Sequence, residues 1–305
     1  MRAAATNVLA IFGPTGVGKT GLAIALAERL RERGERPVAV SADALQVYRG
    51  LEIITGVPSP SERTALEHRL VSFLPVDARF SAGEYAELAH AEIDGLLADG
   101  ATPIVVGGTG LYLRAALTDL ALRPPPPDEL RERWERELAE RGPAALHAHL
   151  ARRAPWAADR IDPRDRSRIV RSLELLELGE LEPPPDENQL WTIDMRHSTR
   201  LLGLEMERDA LYARIDARVD EMVAAGAVAE VRAAHAAGAS ETARKALGFD
   251  ELLRGDVDAM KRRTRNLAKR QLTWMRKLAG LRVIDVTGRS PQEVAAEIDE
   301  LAGAP

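Results

Sequence analysis

Eight residues, Gly13 to Thr20, read GPTGVGKT. Glycines at this spacing let backbone N–H groups turn inward around phosphate oxygens. Lys19 adds a point charge, and the Thr20 hydroxyl is placed to ligand a magnesium ion. An apolar run, Asn7 to Phe12, precedes the loop and a helical pattern follows it, so phosphate binding is the chemistry implied. The loop alone favours ATP or GTP without deciding between them and other phosphate chains. A second chemical group, Asp43, ends the apolar stretch PVAVSAD. A carboxylate there could act as a general base, orient a metal-bound water or cap a helix, and its position leaves all three open. A third stretch, PIVVGGTG, ends in Gly107, Gly108 and Thr109 with no carboxylate, where an ordinary ATPase of this type carries its metal-binding Asp. Thr109 either presents its hydroxyl to a ligand or shapes a turn.

These groups need a scaffold that brings distant segments to one place. Apolar runs at 7–12, 37–43 and 103–110 alternate with helical patterns at 21–34 and about 82–99. Such alternation predicts a parallel sheet covered by helices, with ligands at the C-terminal strand ends. The fold class expected is α/β, with a parallel sheet flanked by helices and an inserted helical subdomain. Two proline clusters, RPPPPDE and EPPPDENQ, bracket that insert at 124–188, leaving 1–123 and 189–305 as the catalytic core. TRLLGLEM predicts a returning strand and RVIDV a last one. Between them, Leu211, Ile215, Val219 and Met222 mark the apolar stripe of a long helix. Arg214 and Arg218 lie four apart on that helix. They sit on a solvated face unless the helix comes back over the loop.

The 305 residues include 45% hydrophobic and 29% charged side chains, ordinary for a globular chain. Zero cysteines exclude disulfides, iron–sulfur clusters and thiolate zinc sites. The six histidines, 68, 90, 147, 149, 197 and 235, lack metal-ligand spacing. The opening apolar run is too short to span a membrane, so no membrane association is expected and the cytoplasm is the expected location. The net charge of −5 hides a local excess: residues 259–284 carry nine Lys or Arg and no Asp or Glu. A basic stretch on an acidic body suggests a surface for a polyanion, although a solvated basic helix would look the same.

Taken in order, GPTGVGKT, SADALQVYRG, HRL, VGGTGLYLRAAL, RDALYARIDARVDEM, RKALGFDE and AKRQLTWMRK resemble the bacterial tRNA dimethylallyltransferases, or tRNA isopentenyltransferases, along nearly the whole chain. The resemblance implies a P-loop NTPase-like core. It also implies transfer of a dimethylallyl group from its diphosphate to N6 of the adenine 3′-adjacent to the anticodon, in tRNAs reading codons that begin with U. Dimethylallyl diphosphate is then the co-substrate, Mg²⁺ the metal and the tRNA anticodon stem-loop the partner, with the enzyme a monomer.

Residue by residue, the resemblance implies that Gly13, Pro14, Thr15, Gly16, Val17, Gly18, Lys19 and Thr20 grip the donor diphosphate together with Arg218, and that Thr20 ligands the metal. Asp43 is implied as the general base, with Thr109 assisting near the leaving group. Ala44, Leu45 and Gln46 would contact the extruded base. Arg131, Arg168 and Arg171 of the insert would grip the anticodon stem-loop. Arg244, Lys245, Lys269, Arg270, Gln271, Thr273, Trp274 and Arg276 would hold more of the tRNA. Ala44 stands where the family usually has Ser, and ITGVP (Ile54 to Pro58) replaces its GTAKP. Three rival readings share the loop: a small-metabolite kinase, a prenyltransferase acting on free AMP or ADP, and an RNA-binding switch without transfer chemistry. The basic C-terminal stretch argues against the first two, and Asp43 would have no chemical role in the last.

Overall fold

A computed structural model describes residues 8–183, 192 and 194–303. Asn7, the boundary expected between 188 and 189 and most of the second proline cluster lie outside the described residues. The chain divides into two compact units, 1–122 with 190–305, and 123–189.

The first unit is built on six parallel strands in the order β3-β2-β4-β1-β5-β6. Strand β1 (Val8–Phe12) leads through the glycine loop into α1 (Lys19–Glu32), and β2 (Pro37–Ser41) follows. Short helices α2 (Glu52–Thr55) and α3 (Pro60–Ala65) come next, then the two-residue edge strand β3 (His68–Arg69). Helix α4 (Ala82–Ala98) returns the chain to β4 (Thr102–Gly107), beside β1, and α5 (Gly110–Leu117) closes the first half. Parallel strands are covered on both faces, so they read as unbroken apolar runs. Val8, Ala10 and Phe12 enter one core while Leu9 and Ile11 enter the other, as the two-residue period of a strand requires. The short edge strand β3 has no such run, which is why the sequence did not announce it.

The second unit contains α6 (Asp128–Arg153), α7 (Pro155–Ala158) and α8 (Arg166–Glu177). Gly142, at φ 77° and followed by Pro143, breaks α6 into two helical runs. Trp134, Leu138, Leu146, Leu150, Ile169 and Leu173 form a core within this unit. At its edge the carboxylate of Glu174, 1% exposed, is held by Arg131 at 3.3 Å and Arg171 at 3.2 Å.

The chain then re-enters the first unit. It forms β5 (Thr199–Glu205), α9 (Arg208–Ala224), α10 (Ala227–Ala236), a 3₁₀ turn at Ala243–Lys245, α11 (Phe249–Leu253), α12 (Val257–Met275), β6 (Arg282–Asp285) and α13 (Pro291–Gly303). Removing Glu174 leaves two partly buried guanidiniums facing each other. Glu174→Ala is therefore expected to cost about 2–3 kcal/mol in a urea melt, discounted from a fully buried pair because both arginines reach water.

Candidate active site

Three strand ends converge on one cleft of about 800 Å³, lined by residues of the first unit. After β1 the glycine loop turns with Gly16 at φ 82° and Gly18 at φ 103°, a left-handed conformation that side-chain-bearing residues rarely adopt. Gly18 is the N-cap of α1 and offers no side chain, so the first N–H groups of the helix remain free for an anion. Lys19 folds back and donates to the carbonyl oxygens of Gly13 and Pro14, each at 3.0 Å. Burial is the main reason its pKa falls from 10.5 to about 8; the Arg218 charge lowers it further, and Asp43 opposes both.

After β2, Asp43 accepts a hydrogen bond from the Leu45 N–H at 3.0 Å through Oδ1, a side-chain-to-backbone turn that fixes the carboxylate. Its other oxygen makes no hydrogen bond among the described residues. Gln46, expected to meet a substrate base, is committed within the protein. Its Oε1 accepts from Ser41 at 2.8 Å, and its Nε2 donates to the Gly56 carbonyl at 2.9 Å. Glu230 of α10 steadies the same corner by accepting from the N–H groups of Ile53 and Ile54, at 2.8 and 2.9 Å. Ala44 does not line the cleft, whereas Leu45 and Gln46 do.

Helix α9 returns over the loop, the condition under which its arginines can serve a phosphate. A Cβ placed on Gly16 would lie 2.9 Å from Ile215, and one on Gly18 would lie 3.5 Å from the Arg214 guanidinium. The Arg218 guanidinium lies where a side chain at Gly56 would begin. Burial pulls Arg218 below its ordinary pKa, against the carboxylates of Asp43, Glu62 and Glu221. Arg214 also lines the cleft and has no ion-pair partner among the described residues. The sequence made a phosphate role for both arginines conditional on the helix returning over the loop, and the resemblance named Arg218 alone; the four-residue spacing was the available signal for Arg214.

Helix α12 presents Met260, Thr264, Leu267 and Gln271 to the cleft, at helical spacing. Gln271 was expected on a tRNA surface; it is 6% exposed and bound to the loop, because its helix face packs inward. Trp274 is partly buried against Gly110, whose missing side chain makes room for the ring. Thr109 is the N-cap of α5, makes no side-chain capping bond and does not line the cleft.

The basic stretch proves to be two populations. Lys261 pairs with Asp220 at 2.6 Å, Arg265 with Asp216 at 2.6 Å and Arg263 with Glu251. Lys269, Arg270, Thr273 and Arg276 are exposed, and the three cations have no ion-pair partner among the described residues. Arg244 lies 3.4 Å from Asp250 and Lys245 3.9 Å from Glu241. In the second unit Arg131 and Arg171 are spent on Glu174, while Arg168 is 73% exposed beside Asp165.

A parallel sheet with a phosphate loop after β1, and with Lys19, Arg214, Arg218 and the Asp43 carboxylate in a single cleft, defines an enzyme of the P-loop NTPase-like fold. Comparison with known proteins is specific. The family model described as IPP transferase matches residues 46–278. A tRNA dimethylallyltransferase of Kineococcus radiotolerans is 40% identical, with 96% of each chain covered. That of Geobacillus kaustophilus is 37% identical over 98% of this chain and 96% of its own. The crystal structure of the full-length tRNA isopentenylpyrophosphate transferase from Bacillus halodurans superposes with a TM-score of 0.70 at 32% identity, covering 98% and 96% of the two chains. The chain belongs to the IPP transferase family.

Lys19 supplies a pH test of the site. Its ammonium is charged below about pH 8, so binding of magnesium diphosphate is expected to be nearly pH-independent there. Above pH 8 binding must take up a proton, and affinity should fall by up to about tenfold per pH unit. Titration calorimetry in two buffers of different ionisation enthalpy would read the proton directly. In the free protein the sign reverses: the folded chain disfavours the charged lysine, and that burden lifts as pH rises through 8 toward 10.5. Lys19→Met should therefore stabilise the free protein by about 1–2 kcal/mol at pH 7, water in the cleft screening the rest, while abolishing diphosphate binding.

Proposed function

We propose that the protein transfers a dimethylallyl group from dimethylallyl diphosphate to N6 of the adenine 3′-adjacent to the anticodon, in tRNAs reading codons that begin with U. It releases diphosphate and works as a monomer in the cytoplasm. The observation that carries this reading is the single cleft shared by Lys19, Thr20, Asp43 and Arg218. Family membership supports the donor and the tRNA acceptor. No described helix is long and apolar enough to cross a membrane.

The donor diphosphate binds the N–H groups of the glycine loop, with Lys19, Arg214 and Arg218 around it. Ile53, Met222, Leu247, Met260 and Leu267 give the cleft an apolar wall that suits a five-carbon allylic chain. The C1–O bond of the donor breaks, N6 of the adenine bonds to C1, and the N6 proton passes to the free oxygen of Asp43. The leaving oxygens gather charge as the bond breaks, and fixed cations lower that barrier without reorganising. An adenine amine is a poor nucleophile, and a positioned carboxylate compensates. The adenine leaves its stack to enter the cleft.

The Thr20 hydroxyl suits a magnesium ion that is otherwise held by donor oxygens and water, since Mg²⁺ keeps several waters and takes few protein ligands beside substrate phosphates. Among the described residues no three His, Asp or Glu gather as a metal cage, in keeping with an ion that arrives with the donor. When bound, it neutralises charge on the diphosphate. Gln46 serves by anchoring the α2 corner. Lys269, Arg270 and Arg276 hold tRNA phosphates, with Arg168 reaching the stem-loop from the second unit.

Incubation with labelled dimethylallyl diphosphate, Mg²⁺ and unmodified tRNA, with AMP and ATP in parallel, is expected to place label in tRNA alone. Asp43→Ala should lower transfer about 10²–10⁴-fold while diphosphate affinity is largely kept. Label in AMP, or ATP turnover in place of transfer, would sink the proposal. Affinity for tRNA should also fall steeply with salt. Replacing Lys269, Arg270 and Arg276 by Ala should flatten the log–log slope by about 2–3; an unchanged slope would remove this face from the tRNA surface.

A further inference from the structure

The side-chain amide of Gln271 joins two segments far from it in sequence. Its Oε1 accepts from the Thr15 N–H at 2.8 Å, and its Nε2 donates to the Gly108 carbonyl at 2.8 Å. The residue is 6% exposed and comes from the C-terminal part of α12. We infer that Gln271 is a positioning residue that holds the diphosphate loop in its binding shape, pinning the Pro14–Thr15 peptide from the side opposite Lys19.

The argument turns on one peptide group. The Pro14 carbonyl accepts from the Lys19 ammonium, and the Thr15 N–H of the same planar unit donates to Gln271. In the free protein the peptide is therefore held at both ends. An arriving diphosphate competes for the Lys19 ammonium, because an anion is a stronger acceptor than a carbonyl. Once Lys19 turns toward the ligand, Gln271 is the remaining side-chain tether on that peptide, beside the long 3.4 Å bond that the Val17 N–H donates to the Pro14 carbonyl within the loop itself. The Thr15 N–H, already spent, is not available to the phosphate, which leaves binding to later N–H groups of the loop.

Only an amide of this length does both tasks. A carboxylate could still accept from Thr15 but would face the Gly108 carbonyl as a second acceptor, and an apolar isostere would do neither. The space is already tight: a Cβ at Gly108 would collide with Nε2 of Gln271 and would lie 3.0 Å from the Gly13 carbonyl oxygen. Gly108 is thus the partner that keeps the amide in place. The inference deepens the proposed function, whose donor site it concerns.

The test uses the full chain and two probes, magnesium with inorganic diphosphate and unmodified tRNA. Gln271→Met is expected to weaken diphosphate binding about tenfold or more, since two buried hydrogen bonds are lost. Binding of tRNA should stay within about twofold, and the KM for the donor should rise more than kcat falls. Gln271→Glu should weaken diphosphate binding at least as much as Met, because it sets a buried negative charge against the Gly108 carbonyl and the incoming anion. Gly108→Ala, which dislodges the amide from its other side, should reproduce the donor-specific defect. The double variant with Gln271→Met should be no worse than the poorer single one, since both remove the same tether. Loss of tRNA affinity with diphosphate binding intact, equal weakening of both ligands, or additive single effects would overturn the assignment. A wild-type protein that binds diphosphate but prenylates no tRNA would refute the proposed function and leave this test standing.

Discussion

Holding like charges together before the ligand arrives is the constraint on which the site depends. Burial and the Arg218 charge lower the proton affinity of Lys19, burial and the Arg214 charge lower that of Arg218, and Asp43 offsets the cost for both. The carboxylate proposed to take a proton from the acceptor therefore also keeps the cations affordable in the free protein. Lys19 meets its share of the cost by capping two carbonyls of its own loop. A diphosphate replaces those carbonyls with stronger acceptors, so the free site is strained electrostatically toward its ligand. Such a site is assembled to bind charge and is less stable for it.

The parallel sheet makes this arrangement possible. Loops following β1, β2 and β4 leave the sheet at the same end because the strands run the same way. Asp43, the glycine loop and Gly108 thus become neighbours without any local signal requiring it. Helices from the C-terminal half complete the site: α9 lays Arg214 and Arg218 over the loop, and α12 adds a cleft-facing stripe. On its other side α12 exposes Lys269 and Arg270, with Arg276 exposed at its C-cap. One helix therefore carries both a wall of the donor site and the basic face proposed for tRNA.

Side chains with two chemical lives were the hardest to read in the sequence. Gln46 and Gln271 suggested contacts to nucleic acid, but both satisfy buried backbone groups that would otherwise be left unpaired. Arg131 and Arg171 suggested phosphate contacts and instead neutralise Glu174. Lys261, Arg263 and Arg265 of the basic stretch are bridged to acids from other elements. A charge run in a sequence reports composition, while exposure depends on which acids the fold brings alongside.

The sequence by itself determined the features that depend on neighbours a few residues away. These are the glycine loop between a buried strand and a helix, the alternation of strands and helices, Asp43 at a strand end, and the order of motifs that resembles one family. Local sterics and the periods of helix and strand suffice for these. Tertiary structure alone decided that α9 crosses the loop, that Thr109 lies outside the cleft, and which basic side chains remain unpaired. It also decided that Gln271 bonds Thr15 across 256 positions of sequence. These outcomes depend on helix packing against the sheet, and no spacing within a single segment encodes that contact.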